Sequence, residues 1–283
     1  MRNLLTGLLV FVVLLACVPG QAYRLRYKDV AGTTRTYAMT MKMSGITEAM
    51  GTSMPMDSTT SMSLTEQVLA VKDGCATIKM EMKNGVTKVT LAAPPGEKEG
   101  KTIEQKVPDF SLQFDRTPLG KASNVQMSGN MPKINGMGND WINRLVQQGS
   151  SMNLPDKELA IGDSWEDKQT LEILPGAKGD INVKNTLTGT RVVNGHTDLV
   201  IAITMTMSMV NGKMSVGAGN NAVTIHMDMD MNGKMESLFD PDLGVMVHGG
   251  GKTDMAMKMT LEGAKTMTTN MKMAMDQTID LAP

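Results

Sequence analysis

Methionine is the residue type whose spacing most strongly indicates a chemical role in this chain. Thirty of the 283 residues are methionine, and nineteen of them lie two positions from another methionine. A thioether sulfur is a soft ligand that favours Cu(I), and it is also a flexible, polarisable apolar group. The spacing therefore indicates an apolar binding surface, a soft-metal site or plain core packing. The Met-x-Met-x-Met triplets begin at Met39, Met205, Met227, Met255 and Met271.

We predict that four of these triplets line a cavity for an apolar small molecule or lipid. Methionine is unbranched, so its side chains can rearrange around ligands of varied shape, whereas leucine or isoleucine would specify a more rigid core. The predicted ligand-binding residues are Met205, Met207, Met209, Met227, Met229, Met231, Met255, Met257, Met259, Met271, Met273 and Met275.

Binding of Cu(I) or Ag(I) is the alternative function, because His226 directly precedes the Met227 triplet. Side chains two residues apart on a strand are separated by roughly 6.7 Å, so two thioethers could converge on one ion. A Cu(I) site uses only about three or four soft ligands, which leaves most of the methionines unexplained. His226 also has the opposite strand parity from Met227, so we predict that it points to the other face. A purely structural role in the cell envelope is a third possibility.

The sequence contains no complete catalytic motif. Gly162-Asp163-Ser164 resembles the nucleophile block of GDSL-type hydrolases, but the chain lacks the downstream Asp-x-x-His of that family. We predict a turn here that leads into a strand, with Trp165 covering one sheet edge. His196 and His248 have no ligand spacing, and we predict surface or turn positions for them. The sequence thus predicts a non-enzymatic protein with no catalytic residue and no cofactor.

The elements that position the methionines are strands. Apolar residues recur with a period of two, which is the strand period, in segments that include 37–43, 199–209, 223–231, 255–261 and 271–275. An amphipathic helix would instead place them three and four residues apart. Each segment has one apolar and one mainly polar face, as antiparallel sheets with one solvated side do.

Turn residues separate these strands. Asn-Gly, which favours type I′ hairpin turns, occurs at 84–85, 135–136, 194–195, 211–212 and 232–233. Asp73-Gly74 and Gly244 mark further reversals. Residues 139–149 depart from the pattern, because Trp141, Ile142 and Leu145 lie on one helical face. We therefore predict an all-β fold, a large antiparallel sheet that forms a barrel or half-barrel, with one short helix near 139–149.

Charge and composition exclude several partners. Lys and Arg (28) nearly balance Asp and Glu (29), and no basic stripe occurs that could displace counterions from a nucleic acid. No polybasic patch for a membrane surface is present either. Aromatic residues make up only 3% of the chain, so the core must be aliphatic and thioether. The sequence does not predict an oligomeric state.

Residues 1–22 are predicted to be a signal peptide, followed by a single β-rich domain over 23–283. Arg2 precedes an apolar run over 4–16, which is shorter than the roughly 20 residues that span a bilayer. Leu14-Leu15-Ala16-Cys17 also resembles a lipobox, in which Cys17 would be lipidated and tether the protein to a membrane. Both interpretations predict a location outside the cytoplasm, in the periplasm or secreted. Cys75 has no partner in the mature chain, and we predict a small buried hydrophobe.

Three segments resemble a family of exported bacterial β-proteins of unknown function. Residues 23–28 (YRLRYK) are similar to the first strand of these proteins, and residues 154–165 (LPDKELAIGDSW) to their LPxKxVxVGDSW stretch. Phe239-Asp240 followed by Gly244 matches their FD…G hairpin. The resemblance implies export and a large antiparallel sheet, and it implies no activity.

Cleavage after Ala22 is expected to leave Tyr23 as the first residue of the mature protein. The intact mass of protein purified from membrane and soluble fractions measures this directly. A diacylglyceryl group on Cys17 would instead establish lipobox processing.

Overall fold

The computed structural model describes residues 21–49, 51–91, 101–129, 152–174, 177–216, 223–262 and 266–282. Their regular structure consists of twelve β-strands. The strands are β1 (Thr34–Ala49), β2 (Thr52–Lys72), β3 (Cys75–Leu91), β4 (Lys101–Val107), β5 (Phe110–Arg116), β6 (Ala122–Gly129), β7 (Ser164–Leu174), β8 (Ala177–Val193), β9 (His196–Val216), β10 (Val223–Asp240), β11 (Val245–Glu262) and β12 (Met267–Leu281).

All twelve strands belong to one antiparallel sheet. Its order is β6-β5-β3-β2-β1-β12-β11-β10-β9-β8-β7, and β4 pairs with the part of β3 beyond β5. Among the described strands β6 and β7 end this order, and β4 pairs with β3 alone, so the sheet is open. This architecture confirms the predicted all-β fold with one large antiparallel sheet.

Several predicted features lie outside the described residues: the leader with Cys17, the helix near 139–149 and the Asn135-Gly136 turn. Within the residues that are described, no helix has the length and apolarity that a membrane crossing requires.

The register places the apolar side chains of all central strands on one face. Residues directly opposite each other in an antiparallel pair point to the same side. One row runs through Met207, Met231, Met255, Met273 and Gly45 on five successive strands. We call this side the apolar face and the other the polar face.

One end of the sheet curls strongly around the segment that precedes β1. The ring of Tyr27 lies 4.5 Å from the Arg116 guanidinium on β5 and 5.9 Å from the Phe239 ring on β10. These strands are six positions apart, which would be roughly 29 Å on a flat sheet. The apolar face is therefore concave at this end, which we call the packed end.

Two apolar cores fill the packed end. The first joins β1, β2, β3, β5 and β6, and the second joins β8, β9 and β10 to the segments before β1 and β7. Their buried side chains are 0–9% exposed. The first core contains Tyr37, Leu64, Val68, Ala76, Ile78, Met80, Leu112, Phe114 and Val125; the second contains Leu25, Tyr27, Leu154, Leu159, Leu187, Leu199, Ile201 and Phe239.

A buried ion cluster links these cores, and the sequence analysis missed it. Arg116 donates two hydrogen bonds to Asp29, at 2.7 and 3.1 Å, and two to Glu66, at 2.9 and 3.0 Å. Arg35 donates to Glu66 at 2.8 Å. Two cations and two anions balance, which is the condition under which buried charges are tolerated. The cluster thereby ties the segment before β1 to β1, β2 and β5.

Tyr27 and Tyr37 beside the cluster remain neutral. Burial raises the pKa of Tyr27 to about 12, and the positive charge of Arg116 opposes this shift only in part. Burial and the nearby Glu66 carboxylate also raise the pKa of Tyr37. The phenols therefore add no charge to the balanced cluster at neutral pH.

Turn prediction from Asn-Gly was right at one hairpin and wrong inside three strands. Asn194-Gly195 joins β8 to β9 with φ angles of 50° and 84°, and Asp73-Gly74 joins β2 to β3 with 51° and 79°. Asn84 (φ 55°) and Asn211 (φ 56°) instead form bulges within β3 and β9. Asn232 lies in regular register within β10. Bulges also need positive φ, so the dipeptide alone cannot distinguish them from turns.

Two further predictions were wrong. Residues 23–28 form no strand of the sheet, because their backbone makes only isolated bonds, such as the bridge between Tyr23 and Leu159. Cys75 is exposed rather than buried, because it opens β3 on the polar face and Ala76 takes the inward position. The predicted hairpin between Asp240 and Val245 is confirmed.

Arg116→Ala is expected to lower the free energy of unfolding by about 3–5 kcal/mol, because it leaves two buried carboxylates without a partner. Urea denaturation followed by circular dichroism measures the loss. Arg191→Ala is the matched control, because Arg191 forms an exposed pair with Glu236, and such pairs contribute little. Equal midpoints for the two variants would show that the cluster does not hold the packed end together.

Candidate functional site

The structure brings the twelve predicted methionines together on one surface. They lie on the apolar face of four neighbouring strands, β9 to β12. We call this set the methionine ladder. Its two continuous rows are Met209, Met229, Met257 and Met271, and Met207, Met231, Met255 and Met273. The prediction that these segments are extended and share a face is therefore confirmed, whereas their role as ligand contacts stays a prediction.

The ladder is only partly buried, in contrast to the packed end. Ten of its twelve side chains are only partly buried. Met209 (1% exposed) and Met229 (8%) are the buried members, and they pack against Met207, Met227 and Met255. At the other end of the same strands Leu199 and Phe239 are 1% and 2% exposed. The ladder is thus an apolar surface that solvent and solutes can reach.

Neighbouring strands extend this surface in both directions. On β1, Met43 lies opposite Met275, and on β8, Ile181 and Val183 lie opposite Met207 and Met205. Ile181 and Val183 were not among the predicted site residues, although their alternation with polar residues is the signal that could have found them.

Glycines allow methionine side chains to lie flat on the apolar face. A Cβ atom at Gly251 would come within 2.5 Å of the Met235 Cα atom and would also meet the Lys234 carbonyl oxygen. A Cβ atom at Gly45 would come within 2.8 Å of Met273 Cγ, and one at Gly233 within 3.4 Å of Met205 Cε. Glycine inside a strand often marks such a close approach. The glycines therefore leave the space that neighbouring side chains occupy on the apolar face around the ladder.

Two of the depressions on the described part of the sheet approach the ladder strands, and neither is an enclosed methionine-lined cavity. One of about 570 Å³ lies on the polar face, where Asp57, Asp230 and Asp254 surround small side chains such as Ala256 and Ala274. The other, of about 450 Å³, spans β7 to β10 and also lies on the polar face, because most of its lining residues, such as Asp180, Thr206 and Asp230, point to that side. The ladder lies on the opposite face of the sheet from both depressions.

His226 points away from the ladder, as its parity predicts. It lies opposite Thr260 and Lys213 in register, and its Nε2 atom is 3.1 Å from a carboxylate oxygen of Glu262 on the polar face. A mixed His–Met site within β10 is therefore excluded by geometry.

The remaining polar groups form no recognisable catalytic arrangement among the described residues. Ser164 begins edge strand β7 and pairs with the Thr186 hydroxyl at 2.8 Å, and the Trp165 indole donates to the Asn153 carbonyl at 2.8 Å. His248 contacts Asp280 at 2.5 Å, and His196 is exposed beside Asp240 at 3.8 Å. Across the part of the chain that the structure describes, no three His, Cys, Asp or Glu side chains are grouped to hold a metal ion.

One buried carboxyl group stands apart from these contacts. Burial raises the pKa of Asp198, and the nearby Asp240 carboxylate adds to the shift. Asp240 itself accepts hydrogen bonds from the amides of Asp242 and Leu243, at 2.8 and 2.9 Å. Asp240 thereby stabilises the turn between β10 and β11.

Comparison with known proteins gives no family. No protein-family model matches the chain, and no curated protein matches it. OpdQ of Pseudomonas aeruginosa aligns over 88% of this chain and 99% of its own, with 5% identity and a TM-score of 0.22. The translocator domain of the autotransporter NalP from Neisseria meningitidis aligns over 89% of each chain, with 7% identity and a TM-score of 0.18. We draw no inference about function from likenesses this low, and the resemblance of residues 154–165 to exported proteins stays a prediction.

Gly251→Ala is expected to lower the free energy of unfolding by about 1–3 kcal/mol, because the new methyl group must displace the backbone at Met235. Chemical denaturation measures this. Gly189→Ala is the matched control in β8, since a Cβ atom there meets nothing within 4 Å. A Gly251→Ala protein as stable as the control would show that β10 and β11 do not approach each other closely here.

Proposed function

We propose that this protein is an exported, non-enzymatic binding protein that holds an apolar ligand, such as an acyl chain or lipid, on the methionine ladder. The observation that carries the proposal is the contrast in burial along the same strands. Aliphatic and aromatic side chains are sealed at the packed end, while ten ladder methionines are only partly buried.

This contrast argues against core packing as the whole explanation. A methionine that served only as core would be buried as completely as the leucines of the packed end. Covering apolar surface is favourable by roughly 25 cal/mol per Å², and a large contiguous apolar patch on a protein marks an interaction site. Binding of a ligand that covers the ladder is therefore favourable, because it removes from water apolar surface that folding alone leaves accessible.

The shape and chemistry of the face suit an elongated apolar molecule. The ladder spans two rows of four methionines across four strands. Thioethers can repack around chains of different length and unsaturation. The curl of the sheet at the packed end closes one end of this surface, so a ligand would lie against the sealed cores and extend along the strands.

The predicted leader supports a location outside the cytoplasm. In that compartment an apolar molecule needs a protein surface to cross an aqueous space. Whether the protein is free or tethered through Cys17 does not alter the binding chemistry.

Soft-metal binding is a second candidate, favoured by the register. Met229 lies directly opposite Met209 on one side and Met257 on the other, and opposite side chains on adjacent strands are about 4.5–5.5 Å apart at Cβ. Three thioethers could therefore reach one Cu(I) or Ag(I) ion without a histidine.

Glutamine and leucine substitutions separate the two functions. We expect the triple variant Met231→Gln/Met255→Gln/Met257→Gln to bind the apolar dye N-phenylnaphthylamine at least about tenfold more weakly, because buried amides would lose their water. The corresponding triple leucine variant conserves volume and apolarity, so it should bind the dye far better than the glutamine variant. Fluorescence titration gives both affinities. Ala256→Gln on the polar face is the control for added polarity.

The same variants test the metal. Competition with a Cu(I) chelator should give equal results for wild type and the leucine variant if no metal is bound, whereas a tight site lost in the leucine variant would favour soft-metal binding. Native mass spectrometry of protein from its own host should show a co-purifying lipid. Ligand-free spectra together with no dye binding would overturn the proposed function and leave a structural role.

A further inference from the structure

The methionine ladder is graded in its accessibility to dissolved oxidants. Ten of its side chains are partly exposed, whereas Met209 and Met229 are 1% and 8% exposed. Oxidation of methionine follows access to the sulfur, and it converts a flexible apolar side chain into a polar sulfoxide. The ten partly exposed members of the apolar surface are therefore side chains whose polarity an oxidant can change.

The fold is insulated from such a change. Among the buried members of the two packed-end cores, Met80 is the single methionine, and it is 8% exposed. The remaining buried members are aliphatic or aromatic, and the ion cluster that joins the cores contains no sulfur. Oxidation usually disrupts a protein when it reaches core methionines. The twelve ladder methionines lie outside both cores, and the methionines that pack partly buried against the cores are Met82, Met127 and Met152.

We propose that the methionine ladder is a redox-switched binding surface, on which oxidation of the half-exposed thioethers to sulfoxides by hydroperoxides releases the apolar ligand without unfolding the sheet. This inference rests on the proposed function, because it assigns a regulation to the same surface.

The chemistry needs only the thioether and a hydroperoxide. A lone pair on the methionine sulfur attacks one peroxide oxygen, the sulfur–oxygen bond forms and the oxygen–oxygen bond breaks. The departing oxygen takes up the proton and leaves as water, or as an alcohol when the oxidant is an organic hydroperoxide. The sulfur loses two electrons and the peroxide gains two. Enzymatic reduction of the sulfoxide restores the thioether, so the change is reversible.

The effect on binding follows from desolvation. Each sulfoxide oxygen is a strong hydrogen-bond acceptor, and an acyl chain offers it no donor. Covering such a group costs free energy that the thioether did not. With several sulfoxides on one ladder, we expect the affinity for an apolar probe to fall at least about tenfold.

The test uses the full mature chain with Cys75→Ser, which removes the exposed thiol as a second target. Hydrogen peroxide is added for increasing times, and peptide mass spectrometry measures the oxidation of each methionine. Met231, Met255 and Met273 should oxidise faster than Met209 and Met229. Titration with N-phenylnaphthylamine should show the fall in affinity, while far-ultraviolet circular dichroism retains its β signal. Treatment with methionine sulfoxide reductases A and B should restore binding.

A variant with leucine at Met231, Met255, Met257 and Met273 separates ladder oxidation from oxidation elsewhere. Its affinity before peroxide serves as its own reference, and the ratio of affinities after and before treatment should stay much closer to one than in wild type. An unchanged ratio in wild type with an oxidised ladder would overturn the switch, as would loss of the β signal before the affinity falls. If untreated protein binds no dye, the proposed function fails. The switch then fails with it, whatever order of oxidation the mass spectra show.

Discussion

The structure depends on the alternation of side chains along paired antiparallel strands. Because opposite residues share a face and successive residues do not, one register fixes the side of every residue in the central strands. Met207, Met231, Met255 and Met273 meet in one row only because β9 to β12 keep this register. A slip of one residue in a single strand would turn its methionines to the polar face and interrupt the surface.

The buried cores and the methionine ladder are separated along the length of the strands. The packed end contains the aliphatic cores and the cluster of Asp29, Arg116 and Glu66, which fastens the segment before β1 across the curled sheet. The ladder contributes few fully buried side chains. This separation leaves the partly buried ladder outside the cores that keep the sheet curled.

Local periodicity made the strands and their shared face predictable, because a period of two over several residues determines both. The bulges at Asn84 and Asn211 were not predictable, because Asn-Gly satisfies positive φ in turns and bulges alike. The sequence does contain an indication of the ion cluster, because Glu66 and Arg116 occupy positions of apolar parity within their strands. Their pairing across 50 residues could not be predicted from the sequence, because it depends on how the sheet curls. The open form of the ladder depends on that same curvature, which no local pattern reports.

The bridge between Tyr23 and Leu159 has a consequence for orientation. It holds the start of the described chain at the packed end, so anything attached ahead of Tyr23 departs from that end. A tether there would orient the molecule with its packed end toward the anchoring surface. The thioether-covered half would then project away from the anchor.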